Sequence, residues 1–190
     1  MLTLKFDTTT VAVDSVDPDS ADSARCREHA AEMRALRAVI PGCPEPDHRS
    51  DGAPFLPGME HVFISISHCR THAAAAVDSS RPIGIDIELP RTQLSRIAPR
   101  FLAAEELDAQ RPVDGLLALW TAKEAAYKAF CLAFPGHSRP VDFRRDIRIL
   151  SPLAHQAIVF PHSQAPVTFS LSHFQSPSGF HICLATPSNL

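Results

Sequence analysis

An alternation of isoleucine and acidic residues, Ile83 to Leu89 (IGIDIEL), constrains the fold of this chain more than any other segment. Residues two apart on a strand point to the same side, so Asp86 and Glu88 share one face and the isoleucines occupy the other. Gly84 lies on the acidic face, where its missing side chain predicts the close approach of another backbone or of a ligand. The segment therefore predicts a half-buried strand that presents two carboxylates on one side.

Further along the chain, a predicted helix carries a third carboxylate. The stretch from Trp120 to Lys128 reads WTAKEAAYK, and its fourfold spacing places Trp120, Glu124 and Lys128 on one side of the helix. Lys123 lies roughly 100° around the helix from Glu124. The whole chain has only three lysines, and two of them fall in this stretch. Compact ammonium groups suit phosphate oxygens, so the pairing indicates a phosphate-bearing ligand.

The three carboxylates together predict a metal site. Carboxylates that meet without a cation repel each other, and one of them would stay protonated. Mg²⁺ relieves this repulsion, since it binds carboxylates together with substrate phosphates and water. Asp86, Glu88 and Glu124 are therefore the candidate metal ligands. Two simpler interpretations stay open: an edge strand with a solvated acidic face, and a surface ion pair between Glu124 and Lys128.

Five ordered motifs resemble the signature of the 4′-phosphopantetheinyl transferases. In chain order they are Gly52 to Leu56 (GAPFL), Ser65 to His68 (SISH), Gly84 to Glu88 (GIDIE), Arg100 to Glu106 (RFLAAEE) and Trp120 to Lys128 (WTAKEAAYK). The resemblance covers residues 48–130 well and is to the larger, surfactin-synthetase-activating type. Members of that type are monomers built of two similar halves, so a monomer is expected here.

The resemblance implies transfer of the 4′-phosphopantetheine arm of coenzyme A to a serine of an apo acyl or peptidyl carrier protein, with release of 3′,5′-ADP. It implies Mg²⁺ as the cofactor, held by Asp86, Glu88 and Glu124. Asp86, Glu124 and Lys128 are the implied catalytic residues. Glu124 would accept the serine proton, directly or through a water molecule, and Lys128 would neutralise charge on the diphosphate.

The same resemblance suggests where coenzyme A is held. Ser67 and His68 match a pair that holds the 3′-phosphate in the family, although a histidine in the core is the alternative for His68. Lys123 is expected to assist at the coenzyme A site. Arg27 and Arg34, seven residues apart on one helix face, are candidates for further basic contacts. Related sequences usually have a basic residue where this chain has Ala53, which puts one phosphate contact in doubt.

A weak internal repeat supports a fold of two similar halves. Val62 to His68 (VFISISH) parallels Val167 to His173 (VTFSLSH), and an apolar strand follows each. With the resemblance, this predicts an α+β pseudo-dimer in which each half has a small, mainly antiparallel sheet packed on a long helix. The expected halves are 1–80, which is short, and 81–190, which carries the metal site. Chance similarity between two amphipathic strands is the alternative.

Periodicity and capping signals predict the individual elements. Helices are expected near 24–39, 95–110 and 114–131, the first capped by Asp22 or Ser23 and the third by Asp114. Residues 7–20 are expected to be irregular and 41–57 to form a connection rich in Pro and Gly. The predicted strands are 1–6, 61–68, 73–78, 83–89, 146–150, 155–160, 167–173 and 180–186.

Composition bounds the remaining possibilities. A chain of 190 residues that is 45% hydrophobic can bury a sizeable core. Its net charge of −3 argues against nucleic acid as a bulk partner. No apolar run reaches membrane-spanning length, no signal peptide is evident, and five scattered cysteines favour free thiols, so a cytoplasmic protein without a membrane partner is expected. Two other functions stay open: a non-catalytic module that binds coenzyme A or a carrier, and a metal-dependent phosphohydrolase.

Overall fold

Two antiparallel sheets and a long helix organise this α+β fold. The computed structural model describes residues 1–107, 113–135, 142–150, 155–161 and 165–188. The helices are α1 (Ala24–Val39), α2 (Gln93–Phe101), α3 (Val113–Ala133) and α4 (Phe143–Asp146), with a 3₁₀ turn at Ala104–Glu106. The strands are β1 (Leu2–Phe6), β2 (Thr9–Ser15), β3 (Asp47–His48), β4 (Pro54–Phe55), β5 (Phe63–His68), β6 (His72–Asp78), β7 (Gly84–Glu88), β8 (Ile147–Ile149), β9 (Gln156–Val159), β10 (Val167–Gln175) and β11 (His181–Pro187).

The first sheet has the strand order β1-β2-β6-β5 and packs against α1. Ser23 caps α1, as the sequence predicted, because its side chain accepts a hydrogen bond from the backbone N–H of Cys26 at 3.3 Å. Met33 and Leu36 on the buried face of α1 pack against Ile64 of β5 and Ala75 of β6. This contact anchors the helix beside β5, the strand that leads to the candidate site.

The expectation that residues 7–20 are irregular is wrong over Thr9–Ser15, which forms β2. The strand pairs with β1 on one side and β6 on the other, and Asp7 adopts a φ of 54° in the hairpin turn before it. Val11, Ala12 and Val13 are all buried, because β2 is covered by α1 on one face and by the second sheet on the other. A strand buried on both faces lacks the polar alternation that marks a strand in sequence.

The second sheet has the order β7-β11-β10-β9-β8, and α3 lies across it. The two elements touch most closely at Gly84, where an added Cβ would lie 2.0 Å from the carbonyl oxygen of Ala125. The sequence prediction of a close backbone approach at this glycine is therefore confirmed. Asp114 lies inside the first turn of α3, which begins at Val113, and so is not the residue before the helix that was expected as its cap.

The helix expected over 95–110 ends early, because α2 stops at Phe101. Residues 108–110 lie outside the described part of the chain. Ala103 is extended, and the carboxylate of Glu106 accepts its backbone N–H at 2.9 Å and the ammonium of Lys123 at 2.6 Å. These tertiary contacts explain why a helix-favouring stretch turns away from the helix axis.

The isoleucine face of β7 joins the two sheets into one core. Ile83, Ile85 and Ile87 pack with Val11 and Val13 of β2. The two repeated motifs fall on β5 and β10, the first strands of the antiparallel hairpins β5–β6 and β10–β11. This arrangement is consistent with two similar halves, although the boundary between 1–80 and 81–190 stays a prediction. No helix within the described ranges is long and apolar enough to cross a membrane.

Candidate active site

The acidic face of β7 faces α3, because Gly84 lies on the same face as Asp86 and contacts the backbone of α3. Asp86 is 7% exposed, and its Oδ1 accepts hydrogen bonds from Ser67 Oγ at 2.8 Å and from Lys128 Nζ at 2.9 Å. Lys128 also donates to the carbonyl oxygen of Ile85 at 3.0 Å. Three elements that are distant in sequence, β5, β7 and α3, therefore meet at one carboxylate.

Glu88 lies two residues further along the same face, at the end of β7. Its Oε2 is 2.9 Å from the guanidinium of Arg91, and its Oε1 accepts the backbone N–H of Leu89 at 3.0 Å. The carboxylate is thus held near the strand end by an arginine from the following loop. Glu88 and Asp86 therefore each have a cationic neighbour.

Glu124 faces this acidic strand from α3. Burial, together with the negative charges of Asp86 and Glu88, raises the pKa of Glu124 to about 7, against a lowering effect of Lys128. The three predicted carboxylates therefore act on one another electrostatically, as converging acids should. At neutral pH, Glu124 is poised to gain or lose a proton.

The residues present fit a divalent metal in chemical type. They offer hard carboxylate oxygens, and the shared negative charge that raises the pKa of Glu124 is the charge a cation would offset. Among the residues that the structure describes, no group of three or more His, Cys, Asp or Glu side chains is already arranged to hold an ion. Asp86 and Glu88 lie against Lys128 and Arg91 instead, so metal binding would exchange these ion pairs for metal contacts.

A cavity of about 350 Å³ adjoins Asp86. Ser67 and Lys128, the two residues that bind Asp86, both line it, and His68 and Tyr127 contribute to its wall. The imidazole of His68 lies 2.6 Å from a carboxylate oxygen of Glu32, and this hydrogen bond raises the pKa of His68. Ser67, His68 and Lys128, all predicted to contact coenzyme A, thus line a single cavity.

The side chain of Lys123 lies in a different environment from that of Lys128. Its side chain is fully buried, and its ammonium lies 2.6 Å from Glu106 and donates to the carbonyl oxygens of Phe143 and Ile147. Burial lowers the pKa of Lys123, while the hydrogen bond to Glu106 raises it. The structure does not bring this lysine to the acidic cluster, because its three partners tie α3 to the 3₁₀ turn, α4 and β8.

Arg27 and Arg34 are also held away from the cavity, although both lie on α1. Arg27 donates to the backbone carbonyls of Ser20 and Asp22, at 3.2 and 2.8 Å. Arg34 forms an ion pair with Asp14 of β2 at 2.5 Å. Both guanidinium groups fasten α1 to the chain that precedes it, and neither residue lines the cavity.

Sequence reasoning missed two acidic residues near the cavity. Glu32 lines it, and Glu28, one helical turn earlier, lies 3.5 Å from the other ring nitrogen of His68. Their spacing of four residues marks a stripe on one face of α1. That signal was present in the sequence, but nothing in it showed that the stripe would face β5.

The fold and site together define an α+β protein with an acidic centre and a ligand-sized cavity lined by α1, β5 and α3. The profile of the 4′-phosphopantetheinyl transferase superfamily matches residues 82–185, more than half of the chain. The chain belongs to this superfamily. The matched segment includes β7, α3 and most of β11, and so all three candidate metal ligands.

Sequence similarity to individual proteins supports the same family assignment. The chain is 31% identical over 142 residues to a 4′-phosphopantetheinyl transferase of Bacillus subtilis, which covers 72% of this chain and 61% of the relative. It is 28% identical to the 4′-phosphopantetheinyl transferase Sfp of Bacillus subtilis strain 168, with the same coverage. It is 33% identical over 136 residues to enterobactin synthase component D of Salmonella typhimurium, with 62% and 54% coverage. The matched region thus spans about three fifths of the length of the Bacillus relatives.

Proposed function

We propose that this chain transfers the 4′-phosphopantetheine arm of coenzyme A to a serine of an apo acyl or peptidyl carrier protein, with release of 3′,5′-ADP. The observation that carries the proposal is the meeting of Ser67, Asp86 and Lys128 at the edge of the cavity. This contact places the ammonium of Lys128, a group suited to binding phosphate, beside the acidic centre and at the edge of a cavity large enough for a ligand. The superfamily match and the similarity to a 4′-phosphopantetheinyl transferase of Bacillus subtilis support the same reaction class.

The proposed roles follow from the positions of the side chains. Lys128 would neutralise charge on the diphosphate, since its ammonium borders both the cavity and Asp86. Glu124, whose pKa is about 7, would accept the proton of the attacking serine, directly or through a water molecule. Ser67 holds Asp86 in place from β5. Most of the acceleration would come from positioning and electrostatics, as in other phosphoryl transfers.

Asp86, Glu88 and Glu124 are the residues that would hold Mg²⁺. When bound, the ion would supply positive charge to the diphosphate and its leaving phosphate. Lys123 is assigned a supporting role, because its buried ammonium already has three protein partners. The contacts of Arg27 and Arg34 give no support to the earlier suggestion that they bind coenzyme A.

The proposed setting is a cytoplasmic monomer. Five cysteines that stay free thiols support a reducing compartment. The net charge of the protein is −3, which suits a protein partner better than a nucleic acid.

Intact-mass analysis of apo carriers tests the proposed activity. Apo acyl and peptidyl carriers are incubated with the chain, coenzyme A and Mg²⁺, with and without EDTA, and 3′,5′-ADP is measured in parallel. The expected result is a mass gain of one phosphopantetheine group per carrier, accompanied by 3′,5′-ADP and blocked by EDTA. Nucleotide release without a modified carrier would point to hydrolysis and contradict the proposal.

A second candidate is a module that binds coenzyme A or a carrier without transferring anything. It is favoured by Ala53, a small apolar residue that lines the cavity at a position where the family resemblance led us to expect a basic one. Calorimetric binding of coenzyme A combined with an unmodified carrier in the mass assay would favour this candidate. The raised pKa of Glu124 favours transfer, since strongly shifted pKa values are concentrated at catalytic sites.

A further inference from the structure

The two acids of β7 differ in how much of each carboxylate is already engaged. On Asp86, the hydroxyl and ammonium contacts both fall on Oδ1, and Oδ2 has no partner among the described residues. On Glu88, Oε1 accepts the backbone N–H of Leu89, and Oε2 lies 2.9 Å from the guanidinium of Arg91. A cation would find a free oxygen on Asp86, but it would have to share or displace a partner at either oxygen of Glu88.

The backbone around Arg91 holds this residue beside the end of β7. Its carbonyl oxygen accepts the N–H of Leu94 at 3.1 Å, and Leu94 is fully buried in the first turn of α2. Pro90 precedes Arg91 and restricts the chain there, because the proline ring fixes φ. The side chain of Arg91 is 42% exposed. Release of Glu88 would therefore need only the rotation of an exposed side chain.

Arg91 has fewer partners than Lys128, the other basic residue at the acidic strand. Lys128 contacts Asp86 and also donates to the carbonyl oxygen of Ile85. Among the residues that the structure describes, Glu88 is the one partner of the Arg91 guanidinium. Arg91 is therefore the cation that a metal could displace with the smaller loss of contacts.

The strength of the pair between Arg91 and Glu88 sets what this competition can do. Ion pairs of partly exposed groups are weak, so the pair forms and opens readily. A divalent ion carries twice the charge of a guanidinium and attracts the same carboxylate more strongly. The apparent affinity for the ion is the intrinsic affinity multiplied by the fraction of molecules in which Glu88 is free. A weak pair can thus lower the affinity a few fold without blocking the site.

We infer that Arg91 regulates the proposed metal site by competing with the divalent cation for Glu88. The inference rests on the metal role in the proposed function and adds a regulation of that same site. Arg91 acts through Glu88 and is therefore a positioning residue. The competition raises the cation concentration at which the site is filled, so the response of the protein to its metal depends on a side chain outside the three proposed ligands.

Titration with Mn²⁺ tests the competition without any carrier, on protein treated with a chelator. Mn²⁺ prefers the same oxygen ligands as Mg²⁺, and the EPR signal of the free ion reports binding directly. We expect Arg91→Gln to lower the dissociation constant about three- to fivefold, because Glu88 loses the competing cation. Arg91→Lys can still pair with Glu88 and should stay close to the natural value. Arg96→Gln, at an exposed arginine of α2, is the matched control and should change the constant less than about 1.5-fold.

A second background separates competition from simple charge repulsion. In Glu88→Gln the ion pair cannot form, so Arg91→Gln should no longer change the Mn²⁺ dissociation constant, although that constant is itself larger. Repulsion between a guanidinium and the ion does not depend on Glu88 and would act in both backgrounds. Urea unfolding of each variant checks that the substitutions leave the fold intact.

Tighter Mn²⁺ binding in Arg91→Gln that disappears in the Glu88→Gln background supports the inference. Unchanged or weaker binding in Arg91→Gln, tightening of equal size in both backgrounds, or no Mn²⁺ binding by the natural chain would each overturn it. The carrier mass assay reports separately on the proposed function. Carriers that stay unmodified refute transfer, whereas the titration of the protein alone still decides whether Arg91 competes for Glu88.

Discussion

Lys128 and Asp86 form an ion pair across the contact between α3 and β7, with Nζ and Oδ1 2.9 Å apart. The pair joins the acidic strand to the helix that carries Glu124. It is also bordered by the cavity, since Lys128 lines that space. The charge of Lys128 is thus placed where an anionic ligand and the acidic centre meet.

Removing the carboxylate charge of Asp86 should abolish most of the proposed transfer. Asp86→Asn keeps the shape and an acceptor for Ser67 and Lys128, but it removes a proposed metal ligand at the centre of the cluster. We expect kcat/KM for carrier modification to fall by about a hundredfold or more, as for other groups that stabilise transition-state charge. Asp19→Asn is the matched control, because Asp19 belongs to another acid-x-acid pair and is exposed. Near-normal activity of Asp86→Asn would remove this residue from the mechanism.

The raised pKa of Glu124 predicts a pH dependence of stability in protein treated with a chelator. Because the folded-state pKa is about 7 and the ordinary value is 4.5, the folded protein binds the proton more tightly. The contribution to stability is fully present below pH 4.5 and is lost as the pH rises to about 7. We expect a loss on the order of 3 kcal/mol in the natural chain relative to Glu124→Gln.

Urea unfolding at a series of pH values measures this difference, and the comparison with Glu124→Gln cancels the titration of other groups. Added Mg²⁺ should restore stability at neutral pH in the natural chain and less so in Glu124→Gln, because a ligand that binds the folded state stabilises it. Parallel pH profiles for the two proteins would show that Glu124 does not titrate in this range.

The buried pair of Lys123 and Glu106 should matter for stability. Lys123→Met leaves the Glu106 carboxylate buried without its ammonium partner and removes the donor to two backbone carbonyls. We expect the free energy of unfolding to fall by about 3–5 kcal/mol. Lys5→Met, at an exposed lysine of β1, should change it by less than about 0.5 kcal/mol. Equal effects of the two substitutions would show that the buried pair adds nothing.

Gly84 should be intolerant even of a methyl group. In Gly84→Ala, the added Cβ would lie 2.0 Å from the carbonyl oxygen of Ala125 and 2.5 Å from the backbone nitrogen of Ala129, so α3 must move away from β7. We expect a loss of about 3 kcal/mol or more, together with loss of transfer, because Glu124 moves with the helix. Thermal or urea unfolding and the carrier mass assay measure the two effects.

Gly42→Ala is the comparison that separates packing from backbone strain. Gly42 has a φ of 74°, and no atom lies within 4 Å of an added Cβ. Its substitution should cost about 1–2 kcal/mol from backbone strain alone and leave transfer unchanged. A smaller loss for Gly84→Ala than for Gly42→Ala would contradict the tight contact between β7 and α3.

Local sequence patterns were sufficient to predict most of the helices and strands, but not all of them. The cap at Ser23 and the alternation of β7 depend on neighbours in the sequence, and both were predicted. The strand β2 was missed because its surroundings on both faces are apolar, and α2 was predicted too long because Lys123 draws Glu106 out of the helix. In each miss, a partner distant in sequence decided the outcome.

The sequence by itself determined the family motifs, the shared face of Asp86 and Glu88, and the side of the helix on which Glu124 and Lys128 lie. These follow from strand and helix periods, which are local properties of the chain. Only the tertiary structure decided that Lys128 reaches Asp86 while Lys123 is buried against Glu106, and that Glu32 stands beside His68. The physical reason is that a charged side chain takes its role from the groups packed around it, and those groups come from other elements of the fold.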